Sequence, residues 1–492
     1  MSLLIIVIYF LVLTFIFFYA FVEFTLAISY IKSKRSNSQI TTIINKDKDY
    51  PIVTIQLPVY NEIYVIERLI DSVVKIKWPK EKLEIQVLDD STDETTSIIA
   101  DKVTFYNMKG YDIQHIRRNN REGYKAGALQ HGISLCKGEF IAIFDADFLP
   151  TPLFLEKTIH HFLDKSLGMV QTKWNHLNPK YSLLTRLQEF ALNVHFSIEQ
   201  RGRNDAGCFI NFNGTAGIWR KSCIVDAGGW QSDTLTEDLD LSYRAQLKGW
   251  KFIYREDVAS PAELPVTMEA LRTQQFRWSK GAAECARKNL FPVLTNRSLP
   301  FYLKINAFFH LMNSSMFICM MILILLSLPL IFISNANPYL GNIIQLSNYL
   351  FISTILLGFS YFLANKRGVK YSLLGFIKNL IFFPIFLCIY MGIAMHISVG
   401  VIEGFIGIKS PFIRTPKFNI SENNQLNKNR YIKGVLSPLL LMELFILFYA
   451  VLGIYYSFQF SIYYMILFLL MIVLGYSYTS FYTLKNAFIK KV

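Results

Sequence analysis

Five uncharged, apolar runs partition the chain, at 2–22, 305–333, 346–364, 379–402 and 444–484. A bilayer core about 30 Å thick takes roughly 20 residues of helix. Each run has about that length, and the last is long enough for two passes with a turn near Ser457–Ser461. No other feature of the 492 residues restricts the fold as much. Between the first two runs, residues 32–300 read as an ordinary soluble domain. The runs are richer in apolar residues than the rest of the chain, and a content of 52% hydrophobic and 15% aromatic excludes a purely soluble protein.

The first run has no basic residue before it and no small-residue cleavage site after it, so 1–31 reads as a retained anchor. Lys32, Lys34 and Arg35 follow it and place that end in the cytoplasm. The same rule assigns Lys366, Arg367 and Lys370, the stretch from Lys409 to Lys433, and Lys485, Lys490 and Lys491 to the cytoplasm. Residues 301–364 and 437–485 then supply two crossings each. If 379–402 also crossed, the basic 406–433 loop would fall outside. The expectation is five crossings, with 371–405, which contains Pro384, lying along the inner face or re-entering it. This describes a multi-pass protein of the cell (inner) membrane with residues 45–295 in the cytosol, in contact with membrane lipids. Much of the net charge of +14 sits at membrane flanks, so no nucleic-acid partner is expected. The six cysteines form no CxxC pair and read as reduced structural thiols.

From Pro51 onward, short apolar strands alternate with helical stretches: strands at 53–57, 84–88, 112–116 and 140–144, helices at 62–75, 92–106 and 125–135. That alternation predicts an α/β fold with a parallel, doubly wound sheet. Ligands of such sheets bind beyond the carboxyl ends of the strands. Tyr60-Asn61-Glu62, Asp89-Asp90-Ser91 and Asp145-Ala146-Asp147 all fall at those ends.

Each cluster has a chemistry. Asp145 and Asp147 offer hard carboxylate oxygens suited to Mg²⁺ or Mn²⁺ bridging to the diphosphate of a nucleotide sugar, although turn aspartates can also be mere caps. One of Asp89 and Asp90 can accept the imide N–H of a base while the other caps the next helix. Thr236-Glu237-Asp238 opens a helix with more acid than capping requires. Asp238 is the favoured base for deprotonating an acceptor hydroxyl, with Glu237 beside it. Gln274, Arg277 and Trp278 lie on one helical run, where Arg277 can hold diphosphate and Trp278 can stack on a sugar ring. An Arg-Trp pair near a bilayer is also a common interfacial anchor.

Taken in order, Gln56-Leu57-Pro58-Val59-Tyr60-Asn61-Glu62, Asp89-Asp90-Ser91-Thr92, Gly123-Tyr124-Lys125-Ala126-Gly127-Ala128-Leu129, Phe144-Asp145-Ala146-Asp147, Thr236-Glu237-Asp238 and Gln274-x-x-Arg277-Trp278 resemble the processive branch of family 2 glycosyltransferases, the cellulose, mannan and hyaluronan synthases. The wording is closest to that of the cellulose-synthase-like mannan and glucomannan synthases. The resemblance implies a GT-A type domain inserted between membrane helices, and an inverting, metal-dependent transfer of glucose or mannose into a β-linked polysaccharide, coupled to export. It implies UDP-glucose or GDP-mannose as donor and a growing glycan as acceptor. Asn61, Glu62, Asp89, Asp90, Lys125, Asp145, Asp147 and Arg277 fall at the donor by the same resemblance. Gly214, Thr215, Gln274 and Trp278 fall at the acceptor. Phe412, Thr415 and Lys417 look like a gating loop that closes over nucleotide. An alternative enzyme class resembles ceramide glucosyltransferase, which adds one sugar to a membrane lipid. A transporter with a degenerate transferase domain is disfavoured, because the acidic set is intact and ionisable residues within the runs are few.

Overall fold

The computed structural model describes residues 1–36, 50–366, 373–420 and 439–487. Arg367, Lys370, Lys490, Lys491, residues 45–49 and the 421–433 part of the loop lie outside the described residues.

The domain is built on a seven-stranded sheet, in the order β3-β2-β1-β4-β6-β5-β7. The strands are β1 (Val53–Val59), β2 (Leu83–Asp89), β3 (Asp112–Arg117), β4 (Phe140–Ile143), β5 (Leu167–His176), β6 (Gly217–Arg220) and β7 (Lys251–Ala262). The helices α2 (Ile66–Val73), α3 (Thr95–Met108) and α4 (Tyr124–Leu135) follow β1, β2 and β3 in turn. Strands β3, β2, β1 and β4 are parallel, as the alternation predicts. Strand β6 departs from it, running antiparallel to both β4 and β5. Strands β5 and β7 pair in parallel again, so β6 alone runs against the all-parallel reading.

The central strands carry continuous apolar runs because both faces are covered. Val53, Ile55, Leu57, Ile85, Val87 and Ala142 are buried, and they pack with Ile66, Leu69 and Ile70 of α2 in one core. The first helix starts later than its apolar pattern suggests, at Ile66 rather than 62. Asn61 has a positive φ of 54°, a left-handed turn conformation, and Glu62 lies in the turn before the helix.

Six helical segments are long and apolar enough to cross a membrane. They comprise α1 (Ser2–Ser36), whose candidate span ends at Ser33, then α8 (Ser315–Ala336), the Pro338–Asn365 segment ending in α9 (Ile352–Asn365), α10 (Leu373–Ile406), α11 (Leu439–Gln459) and α12 (Ile466–Ala487). Between sheet and bundle lie α5 (Leu183–Val194), α6 (Glu237–Leu247) and α7 (Met268–Thr295). The stretch read as interfacial or re-entrant is one unbroken helix, α10, which does not turn back on itself despite Pro384. Re-entry is therefore corrected, and α10 packs lengthwise on α7 and α12. Gly392 and Gly475 permit its contact with α12: a Cβ on Gly392 would lie 2.4 Å from the Gly475 carbonyl oxygen.

Candidate active site

The carboxyl ends of β1, β2 and β4 open onto one cavity, and most of the expected site residues line it. Glu62, Asp90, Lys125, Asp145 and Asp147 meet Gly214, Glu237 and Asp238 there. From α7 come Gln274, Arg277 and Trp278, and from the 410–420 segment Phe412, Thr415 and Lys417. Three expected residues do not line it. Asp89 is buried, accepting from the Ser91 amide at 2.8 Å and pairing with His115 Nε2 at 2.8 Å. Burial pushes its carboxyl upward, but those bonds outweigh it and hold the group below its usual range. Asn61 spends its side chain on the turn, accepting from the Thr92 amide at 2.8 Å. Thr215 is buried and its Oγ1 accepts from the Asp145 amide at 2.9 Å. Both shape the site from behind.

Asp90 faces the cavity but is gripped by Arg118, whose Nε and Nη2 bond its two oxygens. Lys125 reaches Asp145 Oδ1 at 2.5 Å and the Gly214 carbonyl at 2.9 Å, joining donor and acceptor sides. Asp147 Oδ2 accepts from Lys417 Nζ at 2.7 Å and from the Glu263 amide at 3.1 Å. Phe412 stacks on Tyr124 with ring centroids 5.9 Å apart, and Arg277 lies 4.5 Å from the Phe412 ring. The 410–420 segment thus covers the cavity.

The side chain holding that cover in place has no motif around it. Glu263 follows β7, and its carboxylate accepts the amides of Phe418 at 2.9 Å and Ile420 at 3.3 Å. Burial pushes the Glu263 carboxyl up, against the pull of Lys417. Glu62 pairs with Arg414 at 3.1 Å, so it braces the segment as well as facing the cavity. Burial raises it to about 8, with Arg414 and Lys417 opposing. Arg414 lies between Phe412 and Thr415 of the recognised pattern, which was its one sequence signal.

Asp238 opens α6. Burial, reinforced by the charge of Glu237 and opposed by Lys125, pushes its carboxyl up to about 7. Burial also raises Glu237. Gly214 sits against this carboxylate with φ 78°, and a Cβ there would fall 2.9 Å from Asp238 Oδ2. Gly214→Ala combines left-handed strain with that contact. Acceptor turnover should fall at least ~10-fold, the equivalent of about 1.4 kcal/mol in the barrier. A steady-state assay within twofold of wild type would show that the turn tolerates a side chain.

Asp145 and Asp147 present hard oxygens from adjacent turns at the end of β4, and that donor set suits Mg²⁺ or Mn²⁺. Among the described residues no group of three or more Asp, Glu, His or Cys side chains is placed to hold a metal ion. The aspartates would therefore hold a cation jointly with substrate oxygens and water.

A mixed sheet with paired aspartates at its strand ends, a buried acid across the cavity and a covering basic segment makes up a domain of GT-A type. Residues 51–281 match the family model described as "Glycosyltransferase like family 2". Glucomannan 4-beta-mannosyltransferase 1 of Oryza sativa subsp. japonica is 42% identical over 266 residues, covering 53% of this chain and 51% of that protein. Glucomannan 4-beta-mannosyltransferase 9 of Arabidopsis thaliana is 43% identical over 265 residues, covering 53% and 50%. The chain spans about half the length of these curated relatives. Among solved structures, mannosyltransferase PcManGT from Pyrobaculum calidifontis, in complex with GDP-Man and Mn²⁺, shares the fold. Its TM-score is 0.51 at 18% identity, covering 77% of this chain and 98% of that one.

Proposed function

We propose that the protein is an inverting membrane hexosyltransferase that lengthens a β-linked glycan by adding mannose from a nucleoside-diphosphate donor. The curated relatives' own activity, β-mannosyl transfer into glucomannan, supports the choice of sugar. In this reading Asp90 meets the base, and Lys125 and Arg277 meet the diphosphate. A divalent cation held by Asp145 and Asp147 would neutralise charge on the departing nucleotide. Asp238 takes the acceptor hydroxyl proton as that oxygen attacks the anomeric carbon from the opposite face. Closure of the 410–420 segment excludes water.

The observation that carries the glycan reading is a second cavity of about 430 Å³ that meets the first and runs among the helices. Asp238, Asn213, Trp174, Gln274 and Trp278 line both. Glu23 Oε2, Asn213 Nδ2, Trp174 Nε1 and Ser314 Oγ, all from residues on its wall, are buried without partners among the described residues. Hydroxyl-rich sugars satisfy such atoms and an acyl chain cannot. The same reading keeps five helices across the bilayer with α10 on the domain's side. The end of α9 is tied to the domain through Asn365, which bonds the Phe190 carbonyl and Asn193 at 3.0 Å each. The segment after α10 carries Lys417 onto Asp147.

The test is product analysis from the purified full chain in nanodiscs, with GDP-mannose or UDP-glucose and Mg²⁺ or Mn²⁺. The expected product is ethanol-insoluble and degraded by endo-β-mannanase. A single sugar recovered on solvent-extractable lipid would overturn the glycan reading, and no nucleotide release from either donor would overturn transfer. In the same assay Trp278→Ala should reduce transfer at least ~5-fold more than nucleotide release in the absence of acceptor, since a stacked indole orients the acceptor ring. Equal loss of both would make Trp278 an anchor.

A further inference from the structure

We propose that Asn213 donates a hydrogen bond from its side-chain amide to the acceptor sugar, and that His195 and Gln200 are positioning residues that aim it. The inference rests on the glycan-lengthening reading above. Two donors converge on Asn213 Oδ1, Asn211 Nδ2 at 2.7 Å and Gln200 Nε2 at 3.0 Å, and His195 Nε2 lies 3.2 Å from the same oxygen. Both donors are oriented independently of Asn213. Gln200 Nε2 also donates to the Asn211 carbonyl at 2.8 Å, and Asn211 Nδ2 to the Phe212 carbonyl at 3.3 Å. A flipped Asn213 amide would set N–H against N–H at both contacts, so its carbonyl must face the network.

The Nδ2 atom then faces away from these donors. It is shielded from solvent and has no partner among the described residues. A buried donor left unpaired is costly, so a structure that spends two hydrogen bonds fixing its direction needs a reason. Asn213 lines both cavities, one residue before the glycine that abuts Asp238. Its backbone is fixed too: the Asn213 amide donates to Gln171 Oε1 at 3.0 Å, while Gln171 Nε2 donates to the carbonyls of Thr172, Thr215 and Ala216. An acceptor hydroxyl brought to Asp238 enters this neighbourhood.

The helix carrying His195 and Gln200 is distorted where they arise. His195–Gln200 forms a π-helical turn between α5 and the short helix Arg201–Asp205. Residues five apart on an α-helix project about 140° from each other. The wider turn brings positions 195 and 200 onto one side, where both reach the same oxygen. Such turns recur at functional sites. His195 is steadied from behind by Glu199, whose Oε2 lies 2.9 Å from Nδ1.

The experiment uses the full-length protein in nanodiscs with GDP-mannose and a soluble β-linked mannotetraose as acceptor. Transfer is compared with acceptor-free nucleotide release and with the melting temperature. Asn213→Ala should raise the KM for mannotetraose about tenfold and lower the ratio of transfer to acceptor-free release by a similar factor, the range for loss of one neutral hydrogen bond. Asn213→Asp keeps an oxygen for the two donors but turns the presented group into an acceptor, and should lose more. His195→Ala should shift the same KM in the same direction, with His195→Gln restoring part of it. Wild-type elongation with an unchanged KM in Asn213→Ala, or equal loss of transfer and acceptor-free release, would overturn this inference alone. Absence of any glycan product from wild type would overturn the glycan reading and this inference with it.

Discussion

Asp238→Asn is expected to lower glycosyl transfer by ~10²–10⁴-fold while donor binding stays near wild type, because the amide keeps the shape but cannot take a proton. The same residue should set the acid limb of the pH profile. With its carboxyl pushed up to about 7 by burial and by Glu237, kcat/KM should fall as pH drops below about 7, where the base becomes protonated. The variant should show no such limb. The stability sign runs the other way from the usual salt-bridged aspartate. A carboxyl whose folded pKa is raised contributes stability at low pH and loses it as pH rises through the folded value. Above about 7 the native carboxylate is therefore a burden. The neutral asparagine should melt at or above the wild-type temperature at pH ~8. Transfer within threefold of wild type removes Asp238 from the base role, and a large fall in melting temperature would contradict the burial argument.

Asp147→Ala is expected to act on two measurements at once. It deletes a hard oxygen at the end of β4, so Mn²⁺ affinity, read from the free-ion electron paramagnetic resonance signal, should fall at least ~10-fold. It also deletes the partner of Lys417 Nζ, 2.7 Å away, so trypsin should cut after Lys417 faster in the nucleotide-free protein. Ordinary turnover by wild type in EDTA would remove the cation assignment for the whole motif. Unchanged cleavage would show that the segment is held by Glu263 and Arg68 without help from Asp147. Arg68 bonds Asn419 at 2.6 Å and sits 3.7 Å from Glu263, so that second hold exists.

The strand-end half of the cavity was legible because each strand announces its own end. An apolar run followed by Asn-Glu, Asp-Asp or Asp-x-Asp leaves little choice about where the crevice lies. Adjacency hid one division of labour. Asp89 and Asp90 are neighbours at a strand end, and neighbouring side chains there point to opposite faces. One was bound to turn inward, and it was Asp89 that went to His115. Strand β6 was illegible because only four residues form it, and its approach carries the polar Asn211–Thr215 turn. Glu263 and Trp174 left no trace, since their roles come from elements distant in the chain. Trp174 lies on β5 and meets Trp278 of α7 with ring centroids 6.3 Å apart. The re-entrant turn expected around Pro384 did not form: before it Phe376, Phe382 and Phe383 pack on Phe362, Phe190 and Tyr361, and after it the helix packs on α7 and α12.

The antiparallel strand β6 has one further consequence. Gly217 pairs with Ile143, the Ala216 amide bonds the Ile143 carbonyl at 2.8 Å, and Thr215 Oγ1 takes the Asp145 amide at 2.9 Å. The turn that abuts Asp238 is thereby zipped, rung by rung, to the strand that leads into the paired aspartates. A slip of one residue would move it about 3.4 Å, as far as the whole separation of about 3–3.5 Å that reacting atoms require. The spacing between the paired aspartates and that turn is thus a sheet register, a ruler marked in backbone hydrogen bonds. Insertions in the surrounding loops can widen or narrow the walls without changing the stride.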